Sequence, residues 1–464
     1  MGGSITAVFP LIPGLPSPHE NMDFLKKLER ATAVAFLMAL SSSPLSAQKN
    51  GADEDLLTGS KTSQGTSDGQ KQGHTPFLDR DGAGAGRPRL FGQSLLGDYQ
   101  IGESVIKLGG YFDLEFRDMQ DGNPTFRFHR LVPLIEARIT NRIRFQTEIE
   151  IEDGSDVDVE FAHLDYRLMQ SLQFRGGIVL LPLGRLNLLH DSPIQQLTDR
   201  PLLSTKVIPT TLRDAGFGFT GELPELFGEG SDLLSYEAYV ISGFRGEKKD
   251  GSGYLIDRKD GLRNARTHKS GSKVGGYKAY ENSNGDFALQ GRLALRGAGY
   301  EVGLSGYYGA WDNNGDLDLV QGVLDLEWSP AAITSLQDTW LSDFKILFEG
   351  ALSDIERDAA AIAGGVPGSA NGFYTQLEYH IGVPEGWTQG QDPIVTQGGG
   401  FNLIYRYGQV DLDGGKFDRH ALGFNFRPNS DRTVFKFEYQ WNGESGSTGE
   451  KANNGFVASI ATYF

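Results

Sequence analysis

The amino-acid sequence predicts an all-β fold: a transmembrane antiparallel β-barrel of about sixteen strands, with a long third loop folded into the lumen. Three observations support this prediction. Short segments in which apolar and polar residues alternate recur from Val105 onward. Long and short connections alternate between these segments. Aromatic residues occur in nearly every segment, although no run of about 18 apolar residues is long enough for a membrane helix.

The alternation has the period of two that places successive side chains on opposite faces of a strand. It is clearest in Arg142–Glu152, where Ile143, Phe145 and Ile149 share one face. Most segments are near the roughly 9–11 residues that a tilted membrane strand needs. The predicted strands are Val105–Arg117, Thr125–Ile139, Arg142–Glu152, Val157–Leu168, Leu172–Leu183, Asp214–Glu222, Leu233–Ser242, Phe287–Arg296, Tyr300–Ala310, Leu317–Trp328, Phe344–Leu352, Gly372–Ile381, Phe401–Val410, Arg419–Arg427, Thr433–Trp441 and Gly455–Phe464.

One predicted strand changes phase along its length. In Thr125–Ile139, Phe126 and Phe128 are apolar at even positions, whereas the apolar residues from Leu131 onward stand at odd positions. A strand that keeps the same face outward across such a change needs one extra residue. The pattern therefore predicts a β-bulge near Arg130.

The connections predict which end of the barrel each strand begins from. Short links such as Thr140–Asn141 and Gly297–Gly299 are expected on the periplasmic side, and long links such as Phe244–Asp286 on the other. Two links, Ser329–Asp343 and Gly382–Gly400, are long for periplasmic turns. They break the alternation and leave the topology there less defined.

Two further parts precede the strands. Residues 1–47 read as upstream residues plus a secretory signal peptide, which starts at Met22 and is cleaved after Ala47. A buried amphipathic helix is the alternative. Residues 48–103 are polar without a sustained period, which predicts a flexible periplasmic extension. The barrel domain is then expected to span residues 104–464.

The polar faces of the strands are expected to line the lumen. They carry cations and anions in similar numbers, and so many inward charges need water. An aqueous channel is therefore predicted rather than a packed interior. The cations predicted to line the pore are Arg127, Arg144, Arg167, Arg175, Arg292 and Arg406.

The loop Gly184–Arg213 is the strongest candidate for a functional site. Leucine, isoleucine and valine residues throughout the segment make it too apolar for bulk water, so we expect it to fold into the lumen and narrow it. Fixed charges at such a constriction would select solutes. The alternative is that these charges pair with the inner wall and only hold the loop. The candidate residues for the constriction and for solute binding are Arg185, His190, Asp191, Arg200, Lys206 and Arg213.

Several segments resemble the phosphate-selective porin O and P family of Gram-negative bacteria. Phe126–Glu152 is similar to its second hairpin, and Gly176–Asp214 to its long third loop, with the RPLL and IPTT elements. Asp260–Arg266 and Phe401–Asp413 resemble later parts of the family. The final aromatic residue, Phe464, resembles the assembly signal of outer-membrane barrels. The resemblance implies an outer-membrane porin and a homotrimer. The predicted function is passive diffusion of small hydrophilic solutes, with oxyanions such as phosphate as one candidate class, although the net charge of −17 and the mixed charges of the lumen disfavour strong anion selectivity.

Other functions are disfavoured by the residue patterns. The chain has no cysteine and no catalytic motif, so no enzyme activity, cofactor or metal site is predicted. An acidic net charge of −17 disfavours nucleic-acid binding. Outer-membrane lipid and lipopolysaccharide are the expected surroundings. Two other classes remain open: an outer-membrane barrel enzyme, and a secreted soluble β-rich binding protein.

Overall fold

The computed structural model describes residues 98–464, except 102–103, 170, 224–232, 267–272, 275–276, 279–283, 391–392, 397, 430–431, 447–448 and 450. The predicted signal peptide and nearly all of the predicted periplasmic extension lie outside the described residues. No helix in the described ranges is both long enough and apolar enough to cross a membrane.

Sixteen antiparallel strands form one closed ring. Each strand pairs with the next along the chain, and the ring closes where the last strand pairs with the first, from Gly455 opposite Met119 to Tyr463 opposite Tyr111. The predicted all-β barrel of about sixteen strands is therefore confirmed. The strands are β1 Ser104–Met119, β2 Thr125–Arg138, β3 Ile143–Glu152, β4 Asp156–Met169, β5 Leu172–Leu180, β6 Arg213–Leu223, β7 Leu233–Ile241, β8 Ala288–Gly297, β9 Tyr300–Ala310, β10 Asp318–Trp328, β11 Phe344–Ile355, β12 Asn371–Ile381, β13 Gly400–Asp411, β14 Gly415–Arg427, β15 Thr433–Gly446 and β16 Gly455–Tyr463.

The two ends of the barrel differ in their connections. The end at which β1 finishes, here called the loop end, bears residues 181–212 and 242–287. The opposite end, here called the turn end, bears short links and also the two links that broke the predicted alternation. Residues 329–343 contain three short 3₁₀ helices, and 382–399 contain the α-helix Glu385–Thr388. Local helical turns account for the extra length of these two links, and the order of the strands around the barrel is the predicted one. A short strand, Asp98–Ile101, pairs with the start of β1.

The predicted bulge in β2 is confirmed at His129. Asp113 pairs with Arg130, and the next residue, Leu114, pairs with Phe128. A second bulge lies in β4, where Glu148 pairs with Phe161 and Ile149 with Val159. Glu160 is the extra residue there, and its side chain is fully buried inside the barrel. Each bulge therefore adds one ionisable side chain to the inner face.

The outer face of the barrel is apolar and the inner face is charged. Leu304 is 60% exposed and Leu352 is 72% exposed, whereas Asp325 and Glu148 are fully buried. A protein folded in water has the opposite distribution. Outward aromatic rings also pair in two rows. In the row near the loop end, Phe116 contacts Phe126 and Phe456, and Tyr439 contacts Trp441. In the row near the turn end, Phe344 contacts Trp340 and Tyr379, and Phe426 contacts Phe401 and Phe435. These rows match the aromatic girdles of membrane barrels.

Part of the interior is a packed apolar core, which the strand pattern did not predict. It lies where the connections at the loop end turn inward, and it includes Leu183, Val207 and Ile208 from residues 181–212. These side chains pack with Trp311 and with Val323 of the inner wall. Fully burying each of them contributes roughly 1.5–3 kcal/mol. The predicted open aqueous lumen is therefore limited to the space that this core leaves.

Candidate functional site

The connection between β5 and β6, residues 181–212, enters the lumen as predicted, and we call it the inserted loop. It contains two short helices, α1 (Arg185–Leu188) and α2 (Leu202–Lys206). Asn187 joins its two ends: the side-chain amide donates to the carbonyls of Leu181 (2.7 Å) and Leu212 (2.8 Å). The amide oxygen of Asn187 accepts the N–H of Leu212 at 2.8 Å. Both ends of the loop are therefore fixed relative to each other.

Side chains of the barrel wall hold the start of the inserted loop. Glu349 on β11 accepts the backbone N–H groups of Arg185 (2.9 Å) and Leu186 (3.0 Å). These are donors that the first turn of a helix leaves without an intrahelical partner. The guanidinium of Arg185 forms an ion pair with Glu327 of β10. The loop is thus attached to wall strands that are not neighbours of β5 and β6.

The middle of the inserted loop is held by wall side chains that bind its backbone carbonyls. Lys436 donates to the carbonyl of Ser192 at 2.7 Å, and Arg427 donates to that of Pro193 at 3.0 Å. Glu438 accepts the N–H of Thr198 at 2.8 Å. Charged residues of β14 and β15 therefore satisfy the polar backbone of a buried segment, as a buried loop requires.

Asp199 is the central contact between the inserted loop and several strands. Its carboxylate forms an ion pair with Arg117 and accepts from Gln440 at 2.7 Å, and its carbonyl accepts from Arg406 at 2.7 Å. Burial alone would raise the pKa of Asp199, but the charges of Arg117 and Arg419 hold that pKa below its usual value. Asp199 therefore stays ionised at neutral pH.

A cavity of about 700 Å³ lies at the loop end, above the inserted loop. Nine cationic and six anionic side chains line it, although the whole chain carries a net charge of −17. The cations are Arg117, Arg127, Arg130, Arg200, Lys206, Arg213, Arg263, Arg266 and Arg419, and the anions are Glu115, Glu150, Glu152, Asp199, Asp418 and Glu444. The local excess of positive charge makes this cavity a place for small anions.

The positive charge is concentrated on one wall of the cavity. Arg200 donates to the carbonyl of Thr210 at 2.8 Å, and Arg266 donates to that of Pro209 at 3.3 Å. No carboxylate of the described residues lies within ion-pair distance of Arg200. Burial and the repulsion of Arg213 and Arg200 hold the pKa of Arg266 well below its usual range. The guanidinium of Arg200 is held by a neutral carbonyl, so its charge remains available to a solute.

The structure separates the six predicted constriction residues. Arg200, Lys206 and Arg213 line the large cavity. Arg185 lines a second, small cavity of about 30 Å³, which has Lys345 and Glu378 from the turn end of the barrel in its wall. His190 and Asp191 line neither cavity and are buried against the wall. The prediction thus placed these residues in one group, whereas they lie in three places.

The six predicted pore-lining cations are also divided. Arg127 lines the large cavity, and Arg406 lines the small one. Arg406 also donates to Asp199, so it stands between the two cavities. The remaining four line neither: Arg144 and Arg175 pair with Asp165, Arg292 pairs with Asp325, and Arg167 is exposed near the turn end.

Four cations of the large cavity were not predicted: Arg117, Arg130, Arg263 and Arg266. They come from two strands and a second loop that are distant in sequence, whereas Arg419 was expected among the charges that face the lumen. Two signals could have found them. Arg130 stands beside the phase change in β2, and Arg263 and Arg266 belong to Asp260–Arg266, a segment already noted for its resemblance to porins.

Comparisons with known proteins give a fold likeness and one partial relative. No family model matches the chain. An uncharacterized protein of Aquifex aeolicus (strain VF5) is 34% identical over 160 residues, which are 32% of this chain and 35% of that protein. The match thus spans about a third of the relative's length.

Three solved structures with a similar arrangement of strands are outer-membrane proteins. The channel DcaP of Acinetobacter baumannii covers 80% of this chain (100% of its own) at 9% identity with a TM-score of 0.49. OmpF of Salmonella typhi, in complex with daunomycin, covers 79% of this chain and 100% of its own, at 9% identity and a TM-score of 0.48. An anion-selective porin from Comamonas acidovorans covers 78% of this chain and 100% of its own, at 12% identity and a TM-score of 0.47. Identities this low transfer no solute and no residue role to this chain.

Proposed function

We propose that this protein is an outer-membrane porin that passes small hydrophilic solutes and favours oxyanions such as phosphate. The observation that carries the proposal is the distribution of side chains in the barrel. An apolar outer face with rows of aromatic residues surrounds a charged interior that contains a cationic cavity. Lipid on the outside and water within account for both faces. The outward Leu304 and Leu352 disfavour the secreted soluble protein, because water would contact them.

The preference for anions follows from the lining of the large cavity. Positive side chains near the entrance of a narrow pore raise the local concentration of anions and exclude cations. Arg200 and Lys206 are in the inserted loop and line the large cavity, so their charges face the space that a solute would enter. Membership of the phosphate-selective porin family, the homotrimer, the contact with lipopolysaccharide and the absence of enzyme activity stay predictions.

Removing two of these charges tests the proposed preference. In the variant R200Q/K206Q, we expect the anion-to-cation permeability ratio to fall several-fold, since two cavity cations become neutral amides. The measurement is the reversal potential of single channels in a planar bilayer under a KCl gradient. K416Q is the matched control, because Lys416 is an exposed cation at the same end of the barrel and lines neither cavity.

An unchanged reversal potential in R200Q/K206Q would remove the role of this wall in selectivity. A shift of equal size in K416Q would mean that charge anywhere at the loop end sets the preference. Absence of any conductance from the folded wild-type protein would remove the porin proposal itself.

The anion preference is also expected to fall as pH rises from 7 to 10. Burial lowers the pKa of Lys206, whose ammonium group lies 4.1 Å from the centre of the Phe417 ring. Lys206 is charged below its pKa and neutral above it, so raising the pH removes one cavity cation. Reversal potentials measured across this range should show the decline in wild type and a smaller one in K206Q. An identical decline in K206Q would assign the titration to another group.

A further inference from the structure

Four ionisable side chains meet in a second buried cluster, away from both cavities. Glu148 is on β3, Glu160 is the bulge residue of β4, and His190 and Asp191 are adjacent in the inserted loop. All four are at most 2% exposed. The cluster therefore joins the loop to the wall through three carboxylates and one imidazole. Three carboxylates in such a place need a positive partner.

The spacing of these groups suits a metal ion. Glu148, His190 and Asp191 each offer a ligand atom, and these atoms lie within 4.8 Å of one another. Glu160 Oε1 lies 2.9 Å from His190 Nε2. Ligand atoms that each stand about 2.0–2.2 Å from a divalent ion are separated by roughly 3 to 4.4 Å from one another. A single ion among the four side chains therefore requires only small movements.

The hydrogen bonding of His190 directs one nitrogen, Nε2, towards the carboxyl groups, where a metal ion would replace its contact with Glu160. His190 Nδ1 lies 2.9 Å from the carbonyl oxygen of Asn187, which can only accept, so Nδ1 carries a proton. In the neutral ring the lone pair is then on Nε2, the atom that faces the carboxylates. A histidine ligand to a metal usually donates its other N–H to a carbonyl in this way.

Two oxygen atoms in the cluster lack a hydrogen-bond donor. Asp191 Oδ1 and Glu160 Oε2 are buried, and neither accepts a hydrogen bond from any described residue. The other oxygen of Asp191 accepts from the Tyr463 hydroxyl at 3.0 Å. The nearest arginines, Arg130 and Arg213, form ion pairs with Glu150 and Asp158 and also act electrostatically on Glu160. Buried carboxyl oxygens without a hydrogen-bond donor are suitable ligands for a metal ion.

We propose that Glu148, Glu160, His190 and Asp191 bind one divalent transition-metal ion of the Zn²⁺ or Mn²⁺ class. One nitrogen and three carboxylate groups favour these ions over Ca²⁺ and Mg²⁺, which take oxygen ligands. The sequence did not predict the site because its ligands come from two strands and a loop and form no motif. The ion would attach the inserted loop to the wall. Metal binding at this site is independent of whether the barrel conducts solutes, so it can be tested separately from the proposed function.

Metal content of the folded barrel tests the proposal. The protein is refolded into detergent after denaturation with a chelator, then mixed with ZnCl₂ or MnCl₂ and freed of excess ion. Wild type is expected to retain one equivalent by elemental analysis, whereas H190Q and D191N are expected to lose at least tenfold in affinity. H129Q is the matched control, because His129 is the bulge residue of β2 and lies between two carboxylates, those of Asp113 and Glu115. Heat-modifiable gel mobility reports that each variant is folded.

Each result decides the matter. If H190Q retained the metal ion and H129Q lost it, the ion would lie among Asp113, Glu115 and His129, and the proposal would be overturned. No retention by folded wild type would also overturn it, and would leave Glu160 and His190 as an ion pair. If both loop variants fail to fold, pulsed electron paramagnetic resonance of Mn²⁺ in wild type decides instead. Coupling to one imidazole nitrogen is expected, and its absence refutes the site.

Discussion

Excision of the inserted loop is expected to raise the single-channel conductance several-fold and to abolish most of the ion selectivity. In this variant a short glycine–serine linker replaces residues 187–208, and β5 and β6 stay intact. The loop fills the lumen between the two cavities, so its removal leaves a wide bore with water-exposed charges. Wall residues that now bind the excised segment, such as Glu438 and Lys436, would be solvated there and would not be left without partners.

Conductance in planar bilayers measures this effect directly. The matched control replaces residues 120–124, the connection between β1 and β2, with a linker of equal length. That connection contributes no residue to either cavity, so the control should conduct like wild type. Equal conductance of the excised and native proteins would mean that solutes do not pass where the loop lies.

The largest loss of stability is expected from removal of Asp325. Arg292 and Asp325 are both almost fully buried, and Arg292 Nη2 donates to Asp325 Oδ1 at 2.8 Å. The guanidinium occupies the space beside Gly303, where an added Cβ atom would stand only 2.2 Å from Arg292 Nη2. D325A removes the two-point partner of the buried Arg292 and leaves it with Glu301 at 3.6 Å and the Ser305 hydroxyl at 3.1 Å. The free energy of unfolding should fall by about 3 kcal/mol.

Urea or guanidinium unfolding of the barrel in lipid vesicles measures that change. K416A is the comparison, since Lys416 and Asp411 form an exposed pair for which a loss of at most about 1 kcal/mol is expected. The apolar double variant R292M/D325L should regain most of the stability, because neither partner is then left alone. A loss below that of K416A in the D325A variant would contradict the assignment.

The sequence was sufficient for the fold because a membrane barrel repeats one simple pattern. Period-two alternation located all sixteen strands, and the phase change in β2 located its bulge. Errors arose at strand ends: the fifth strand was predicted to reach Leu183 but ends at Leu180, shortly before Pro182. The bulge at Glu160 was missed because Phe161, an apolar residue that faces inward, continues the odd-numbered positions of Val157 and Val159 and hides the change to Leu164.

The site was predictable only in part, for a physical reason. The apolar residues of Gly184–Arg213 predicted correctly that the loop leaves bulk water and enters the lumen. Which charges face the remaining space depends on contacts across the barrel. Arg117, for example, reaches the cavity through Asp199, and the two residues are far apart in sequence. Alternation along one strand carries no information about such partners.

The seam between β1 and β16 has a consequence for biogenesis. It pairs Tyr111 with Tyr463, and beyond it Gly110 and Phe464 exchange two backbone hydrogen bonds. Until these two edges pair, a nascent chain exposes two unpaired strand edges and the apolar side chains of its outer face to other chains, and such a state is prone to aggregation. Insertion is therefore expected to be all-or-none and slow, since the contacts that complete it join the most distant strands.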